Sequence, residues 1–288
     1  MKRYVHVFTT RFCNQDDQED TFSRFGFDSI KTHPLASLSQ VGFKLSRSDG
    51  DAVGLLLYLR DRDPKIFLRE ENVYTARDLD AAELLDLSVD MAEREIVPKN
   101  RSDGWGTDGA CETCLAGARP VSAISVDRER FPKKGLIASD LRLLLVHERI
   151  AAALEKVMGD SLDLQPTRHS LDREYLQWHV VSPRLTMPPL HDSTRGVIRE
   201  KVERRCRACD RSAYYHTTDE AFEPVFKFRD VFSPLPFIAS SWECFGLGTN
   251  RPGLFFPPRP LLIVSQRIRQ VFVSLEVRGL RWTPVAIR

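Results

Sequence analysis

Two pairs of cysteines are the residues whose spacing most clearly indicates a chemical role. Cys111 and Cys114 form the first pair, Cys206 and Cys209 form the second, and 91 residues separate the pairs. Two intervening residues allow both sulfurs of a turn to face one metal ion, and two such turns supply the four ligands of a tetrahedral zinc site. Because four thiolates leave no position for water, the sequence predicts a structural Zn²⁺ rather than a catalytic one.

Other interpretations of the cysteines stay open from the sequence. A redox-active pair usually begins a helix directly after a strand, and a disulfide needs an oxidising compartment. Arginines surround the second pair and would stabilise thiolates there, and His216 is an additional candidate ligand. These arginines are Arg204, Arg205, Arg207 and Arg211. Cys13 and Cys244 belong to neither pair, and the apolar neighbours of Cys244 suit a buried thiol.

The N-terminus and the composition indicate the compartment. Residues 1–7 alternate like a strand and lack the apolar segment of a signal peptide. No apolar run approaches the roughly 18 residues of a membrane span. We therefore expect a cytoplasmic protein with no membrane partner, in which reduced cysteines serve as metal ligands.

The sequence carries no motif of a known catalytic class. It contains neither the HExxH motif of zinc proteases nor the GxSxG motif of hydrolases. The glycines of residues 104–109 are not followed by the lysine of a phosphate-binding loop. Each of the seven histidines is interpreted as structural or exposed. The sequence therefore predicts a protein that is not an enzyme.

The hydrophobic pattern predicts an α+β fold with an acidic helix near its middle. Strands are expected at 4–10, 53–60 and 65–74, and a helix at 78–96. One face of this helix is apolar, and the opposite face is acidic and includes Asp86, Asp90 and Glu93. The acidic face is the candidate partner-binding surface, and an ordinary solvated face is the alternative.

A turn-rich segment divides the chain in the sequence. Residues 98–109 are rich in Gly, Asp and Asn and lead into the first cysteine pair. We therefore predict an N-terminal α+β region, residues 1–97, and a zinc-clasped α+β domain, residues 98–288.

Two helix–strand units in the predicted second domain have similar order. A helix is expected over 141–157, and residues 261–285 are expected to form a strand, a helix and a closing strand. Leu136–Ser139 and Leu262–Ser265 precede the two helices, about 125 residues apart. Internal duplication, or the common chemistry of helix caps, would produce this recurrence.

A basic segment supports a different class of function. Residues 195–211 are rich in arginine and precede Tyr214 and Tyr215, a combination that suits single-stranded nucleic acid. Glu200, Glu203 and Asp210 interrupt the segment, and the net charge of the chain is only +2. Nucleic-acid binding is therefore the alternative function rather than the main one.

The two CxxC motifs, their long insertion and residues 264–286 resemble the double-CxxCG proteins of myxobacteria, which are related to immunity proteins of polymorphic toxin systems. The resemblance covers roughly residues 101–288. Leu115 and Asp210 stand where that family has a glycine after the second cysteine, and Arg281 and Trp282 alter the terminal pattern. The resemblance implies a split zinc ribbon that brackets an α/β insertion, and an intracellular immunity protein that binds a cognate toxin.

The sequence as a whole predicts an α+β protein with a split zinc-ribbon clasp of four cysteines, a long α/β insertion and a C-terminal strand–helix–strand unit. Its expected function is non-enzymatic neutralisation of a bacterial toxin by steric occlusion.

Overall fold

The hydrophobic segments of the chain assemble into two separate units. The computed structural model describes residues 1–9, 15–27, 30, 32–35, 40–63, 66–89, 96, 103–132, 135–140, 143–199, 206–209, 214–216, 220–227, 237–246, 249–251 and 254–288. Unit 1 comprises Met1–Asp78, Arg195–Val197 and His216–Glu223, and unit 2 comprises Leu79–Thr194, Ile198–Tyr215 and Pro224–Arg288. The first division falls after Asp78, whereas the sequence placed the boundary between residues 97 and 98.

An antiparallel sheet with two longer helices makes up most of unit 1. Its elements are β1 (Lys2–Thr9), α1 (Gln15–Arg24), β2 (Thr32–Leu35), β3 (Gln40–Ser46), α2 (Ala52–Arg62) and β4 (Phe67–Val73), followed by α3 (Ala76–Asp80). The strand order is β2-β3-β1-β4. Alternation along β1 places Val5 and Val7 in a core that also contains Leu55 and Leu59 of α2. β1 and β4 match the predicted strands.

The predicted strand at 53–60 is wrong, because this segment forms α2. The Asp51 side chain caps the helix by accepting a hydrogen bond from the Gly54 backbone N–H at 2.8 Å. Leu55 and Leu59, one turn apart, are fully buried. An apolar run of this length does not distinguish a strand from a buried helix, so the cap is the deciding signal.

The predicted helix at 78–96 is also wrong over residues 81–89, the part beyond α3 that the structure describes continuously. Thr75 and Asp78 form a reciprocal capping arrangement, but the helix that it starts is only the one-turn α3. The chain then forms a strand, β5 (Leu84–Val89), in which four consecutive residues are buried. Both faces of such a strand are covered, so its sequence does not alternate and is easily mistaken for a helix.

The described residues of unit 2 include two larger sheets and two α-helices. After β5, the chain forms β6 (Trp105–Gly106), β7 (Arg119–Pro120), β8 (Ile124–Val126), β9 (Ile137–Asp140), β10 (Leu143–His147), α4 (Glu148–Met158), β11 (Leu162–His169), β12 (Tyr175–Pro183), β13 (Leu185–Thr186), β14 (Val197–Arg199), β15 (Tyr214–His216), β16 (Val225–Phe226), β17 (Ile238–Ser240), β18 (Thr249–Arg251), β19 (Leu254–Phe256), β20 (Leu262–Ser265), α5 (Gln266–Ser274) and β21 (Leu280–Ile287). Of these, β14 and β15 each contain residues assigned to both units. The helix predicted at 141–157 thus begins later, after β10. The closing strand–helix–strand unit is confirmed.

The two large sheets of unit 2 share a topology of five strands, to which β13 adds a sixth strand at the edge of the second sheet. Their strand orders are β8-β11-β12-β10-β9 and β13-β17-β20-β5-β21-β16. In both, a central strand runs antiparallel to its two neighbours, and those neighbours are joined through a helix. A parallel strand flanks one side, β8 or β16, and an antiparallel strand flanks the other, β9 or β17. The protein therefore belongs to the mixed α+β class, and the same arrangement of five strands occurs twice in unit 2.

Sequence and register agree with this repetition. Leu143–Ile150 and Leu261–Ile268 align without a gap, at an offset of 118 residues that also relates Pro166 to Pro284. On the central strands, Val180 pairs with Leu145 and Gln165, and Asp86 pairs with the equivalents of those residues, Ile263 and Thr283. Identity of topology and register indicates internal duplication rather than shared helix caps.

The structure corrects the pairing of the repeats that the sequence suggested. Leu136–Ser139 is not equivalent to Leu262–Ser265. Ile137, Ala138 and Ser139 of β9 instead correspond to the identical triplet of β17, which begins at Ile238 and meets β20 in the same register.

Each half of unit 2 contributes its first strand to the sheet of the other half. The first half runs from β5 to β11, and the second from β12 to β21. If only the strands that the two sheets share are counted, each half has the chain order strand, cysteine pair, three strands, helix and strand. Even so, β5 lies between β20 and β21, and β12 lies between β10 and β11. α4 also contacts α5, the equivalent helix of the other half. Contacts between equivalent elements indicate an approximate twofold axis.

If the two halves are equivalent, truncation of equivalent core side chains should lower the free energy of unfolding by similar amounts. Leu145 and Ile263 are equivalent and fully buried, so Leu145→Ala and Ile263→Ala should each lower the free energy of unfolding by about 2–5 kcal/mol. Urea denaturation measures both. Leu171→Ala, at a residue that is 80% exposed, is the control and should change little. A large cost in only one half would contradict the equivalence.

Candidate metal centre

The structure brings the four predicted ligands together. Cys111, Cys114, Cys206 and Cys209 place their sulfurs within 4.8 Å of one another, and each residue is partly exposed. Two Sγ–Sγ distances, Cys111 to Cys206 and Cys114 to Cys209, are 3.6 Å. Four sulfurs held ~2.3 Å from a central ion form a tetrahedron with edges of ~3.8 Å. The cluster therefore has the dimensions of a four-thiolate metal site, and these separations are far too long for disulfides.

Each half of unit 2 supplies one pair of ligands. The first knuckle, Cys111–Cys114, lies between β6 and β7, and the second knuckle, Cys206–Cys209, lies between β14 and β15. Both knuckles form the same three-residue turn after their first cysteine. The metal site is thus shared between the halves, at the place where equivalent segments meet.

The turn of the first knuckle requires a left-handed backbone at the residue after its second cysteine. Leu115 has φ +57°, and its N–H donates to the Cys111 carbonyl at 2.7 Å. Glycine adopts this conformation without strain, whereas another residue pays ~1–2 kcal/mol. Leu115 is almost completely buried, so hydrophobic burial offsets the strain.

The thiols of the cluster differ in acidity. Partial burial alone would raise the pKa of Cys111, but hydrogen bonds from the backbone of Cys114 and Thr113 and from the Cys206 thiol lower that pKa to about 6. Burial and the neighbouring thiols raise the pKa of Cys114. Without a cation, a second thiolate would face the charge of the first. A divalent cation removes this conflict and favours all four thiolates.

The other predicted features of the site have mixed outcomes. Arg207 is exposed on the second knuckle, while Arg204, Arg205 and Arg211 lie outside the described residues. His216 is not part of the four-ligand group, and its ring packs edge-on against Phe222. Cys13 lies outside the described residues.

The structure corrects the predicted acidic surface at one of its three residues. Asp86 lies on the central strand β5 and is 6% exposed, so its carboxylate cannot belong to an exposed ridge. Asp90 and Glu93 lie outside the described residues. The error follows from the helix predicted at 78–96. Both faces of strand β5 are covered, so the side chain of Asp86 is buried whichever face it lies on.

Asp86 is unusual because the equivalent residue in the other half is apolar. Val180 occupies the same register on β12 and is fully buried, so packing at this position needs no charge. Burial raises the pKa of Asp86 to about 7, and the nearby Arg259 guanidinium opposes the shift. No sequence pattern indicated that this carboxylate is buried, because the equivalence of Asp86 with Val180 appears only once β5 is placed in the second sheet.

The basic segment of the alternative function is only partly described. Arg195 exchanges backbone hydrogen bonds with Glu223, which places it in a short bridge of unit 1. Lys201, Arg204, Arg205 and Arg211 lie outside the described residues.

Comparisons with known proteins add no identification. No protein-family model matches the chain, and no curated protein matches it. Within the described ranges, none of the helices combines the length and the apolar character needed to cross a bilayer.

Loss of one cysteine from either knuckle should abolish metal binding. We expect purified wild-type protein to contain one metal ion per chain, and Cys111→Ser or Cys206→Ser to contain almost none, because three thiolates hold the ion weakly. Metal content is measured by inductively coupled plasma mass spectrometry. Cys244→Ser is the matched control and should retain the ion. Full metal content in both knuckle variants would exclude this site.

The buried carboxylate should make stability depend on pH. Between about pH 4 and pH 7 the folded state binds a proton on Asp86 that the unfolded state has lost, so stability should fall as pH rises through this window. Asp86→Asn should therefore match the wild type near pH 4 and exceed it at pH 8 by an amount on the order of 4 kcal/mol. Urea denaturation at both pH values measures the difference. The exposed Asp61→Asn should show no such change.

Proposed function

We propose that this protein is a zinc-stabilised, non-enzymatic binding protein that neutralises a bacterial toxin by covering its active cleft. The observation that carries the proposal is the closed set of four cysteine sulfurs. Tetrahedral sites made only of thiolates favour Zn²⁺ or iron, and four protein ligands leave no position for substrate. We take the ion to be Zn²⁺ with a structural role, and the compartment to be the reducing cytoplasm, where thiols persist.

The immunity role rests on the resemblance to double-CxxCG proteins together with the knuckle geometry. The left-handed residue after Cys114 is the position where that family has glycine, so the same turn is compatible with this chain despite Leu115. A binding protein of this kind needs a rigid surface and no reaction of its own. Charges at the rim of the contact would then set the rate of association.

The proposal is tested with a toxin encoded beside the gene of this protein. Co-expression should restore growth, and the two proteins should co-purify as a complex, whereas Cys111→Ser with Cys206→Ser should give neither, because the zinc-deficient chain is destabilised. Cys244→Ser is the control that keeps protection. Metal analysis identifies the ion, and iron in place of zinc would contradict that part of the proposal. A folded, metal-loaded protein that neither binds nor protects would contradict the immunity role.

Nucleic-acid binding predicts a different result. A titration with a 20-nucleotide single-stranded DNA should show binding that weakens steeply with salt if residues 195–211 contact phosphates. For a toxin-binding protein we expect no binding at low salt.

A further inference from the structure

A cleft lies between the two large sheets of unit 2. Its cavity volume is about 220 Å³. Equivalent residues of the two halves line it, since both central strands and both strands that precede the helices contribute. These pairs are Leu87 with Val181, Val89 with Pro183, and Leu144 with Leu262. The cleft therefore straddles the approximate twofold axis that relates the halves.

Residues outside the repeated strands give the cleft its chemical character. Trp105 and Trp242 add large aromatic surfaces, and Arg119, Arg184 and Arg259 add guanidinium groups. Among the described residues, the lining contains no carboxylate. Tryptophan and arginine are the residue types that most often dominate the binding energy of protein interfaces. The cleft thus combines an apolar interior with an excess of positive charge.

The three arginines differ in their partners. Arg184 pairs with Asp163 at 2.5 Å, so its charge is already compensated. Arg119 is exposed and makes no ion pair within the described ranges. Arg259 exchanges two backbone hydrogen bonds with Phe245, at 2.7 and 3.1 Å, which hold its backbone in place at the cleft.

We propose that this cleft binds an acidic segment of a protein partner. A large apolar side chain of the segment enters between the sheets, and flanking carboxylates contact Arg119 and Arg259. The positive charge of the cleft favours a negatively charged ligand. The two tryptophans and the apolar strands favour a bulky apolar side chain. The open mouth suits a chain that enters and leaves the cleft. The proposal rests on the proposed function only in taking the partner to be a protein.

The test uses full-length, zinc-loaded protein and a fluorescein-labelled acidic pentapeptide, EEFEE, measured by fluorescence anisotropy. Binding should saturate at one peptide per chain. The charge-reversed peptide KKFKK and the truncated peptide EEAEE should bind at least about tenfold more weakly, because each lacks one of the two contacts. Arg119→Glu should weaken EEFEE by about tenfold or more. Arg278→Glu, an exposed arginine outside the cleft, is the matched control and should bind as the wild type does.

Other outcomes would contradict the proposal that the cleft binds an acidic segment. The proposal fails if EEFEE does not bind, if Arg119→Glu binds it as well as the wild type, or if oligothymidylate of ten nucleotides displaces it, since the ligand would then be nucleic acid. These results are distinct from the fate of the immunity role. If the wild-type protein protects against the toxin but does not bind EEFEE, only the cleft proposal is contradicted. If it binds EEFEE but does not protect, only the immunity role is contradicted.

Discussion

The exchange of one strand between the two halves is the constraint on which unit 2 depends. β5 leaves the first half to complete the sheet of β20 and β21, and β12 completes the sheet of β10 and β11. Neither sheet is continuous without a strand from the opposite half. Because the hydrogen bonds of a central strand satisfy backbone groups on both of its sides, removal of either strand would expose two neighbours.

The cysteine cluster joins the same two halves a second time. In each half the cysteine pair follows the exchanged strand, and the two pairs meet. A metal ion there would link segments that are 91 residues apart in the chain, at an entropic cost that grows only slowly with loop length. The contribution of such an ion to folding, on the order of 10 kcal/mol, is comparable to the whole stability of a domain.

The sequence alone predicted that the four cysteines cluster and that the chain closes with a strand–helix–strand unit, because the CxxC spacing and the helical periodicity are short-range patterns. It misassigned α2 and β5, since continuous apolar runs do not reveal whether the chain is helical or covered on both faces. Asp86 illustrates the limit most clearly. Its charge suggested an exposed face, while its true environment depends on pairing with Ile263 and Thr283, far along the chain. The correct alignment of the two halves likewise required the sheet register.

The order of the strands also affects how the protein is made. β5 is the first strand of unit 2 to leave the ribosome, yet both of its neighbours, β20 and β21, lie in the last 27 residues. At 5–20 residues per second, synthesis of the intervening chain takes about 10 to 40 s. During that time Leu84, Leu85 and Leu87 have no sheet to enter. A nascent chain with an unpaired apolar strand is a substrate for chaperones, so the yield of this protein in cells should depend on them more than its final stability would suggest.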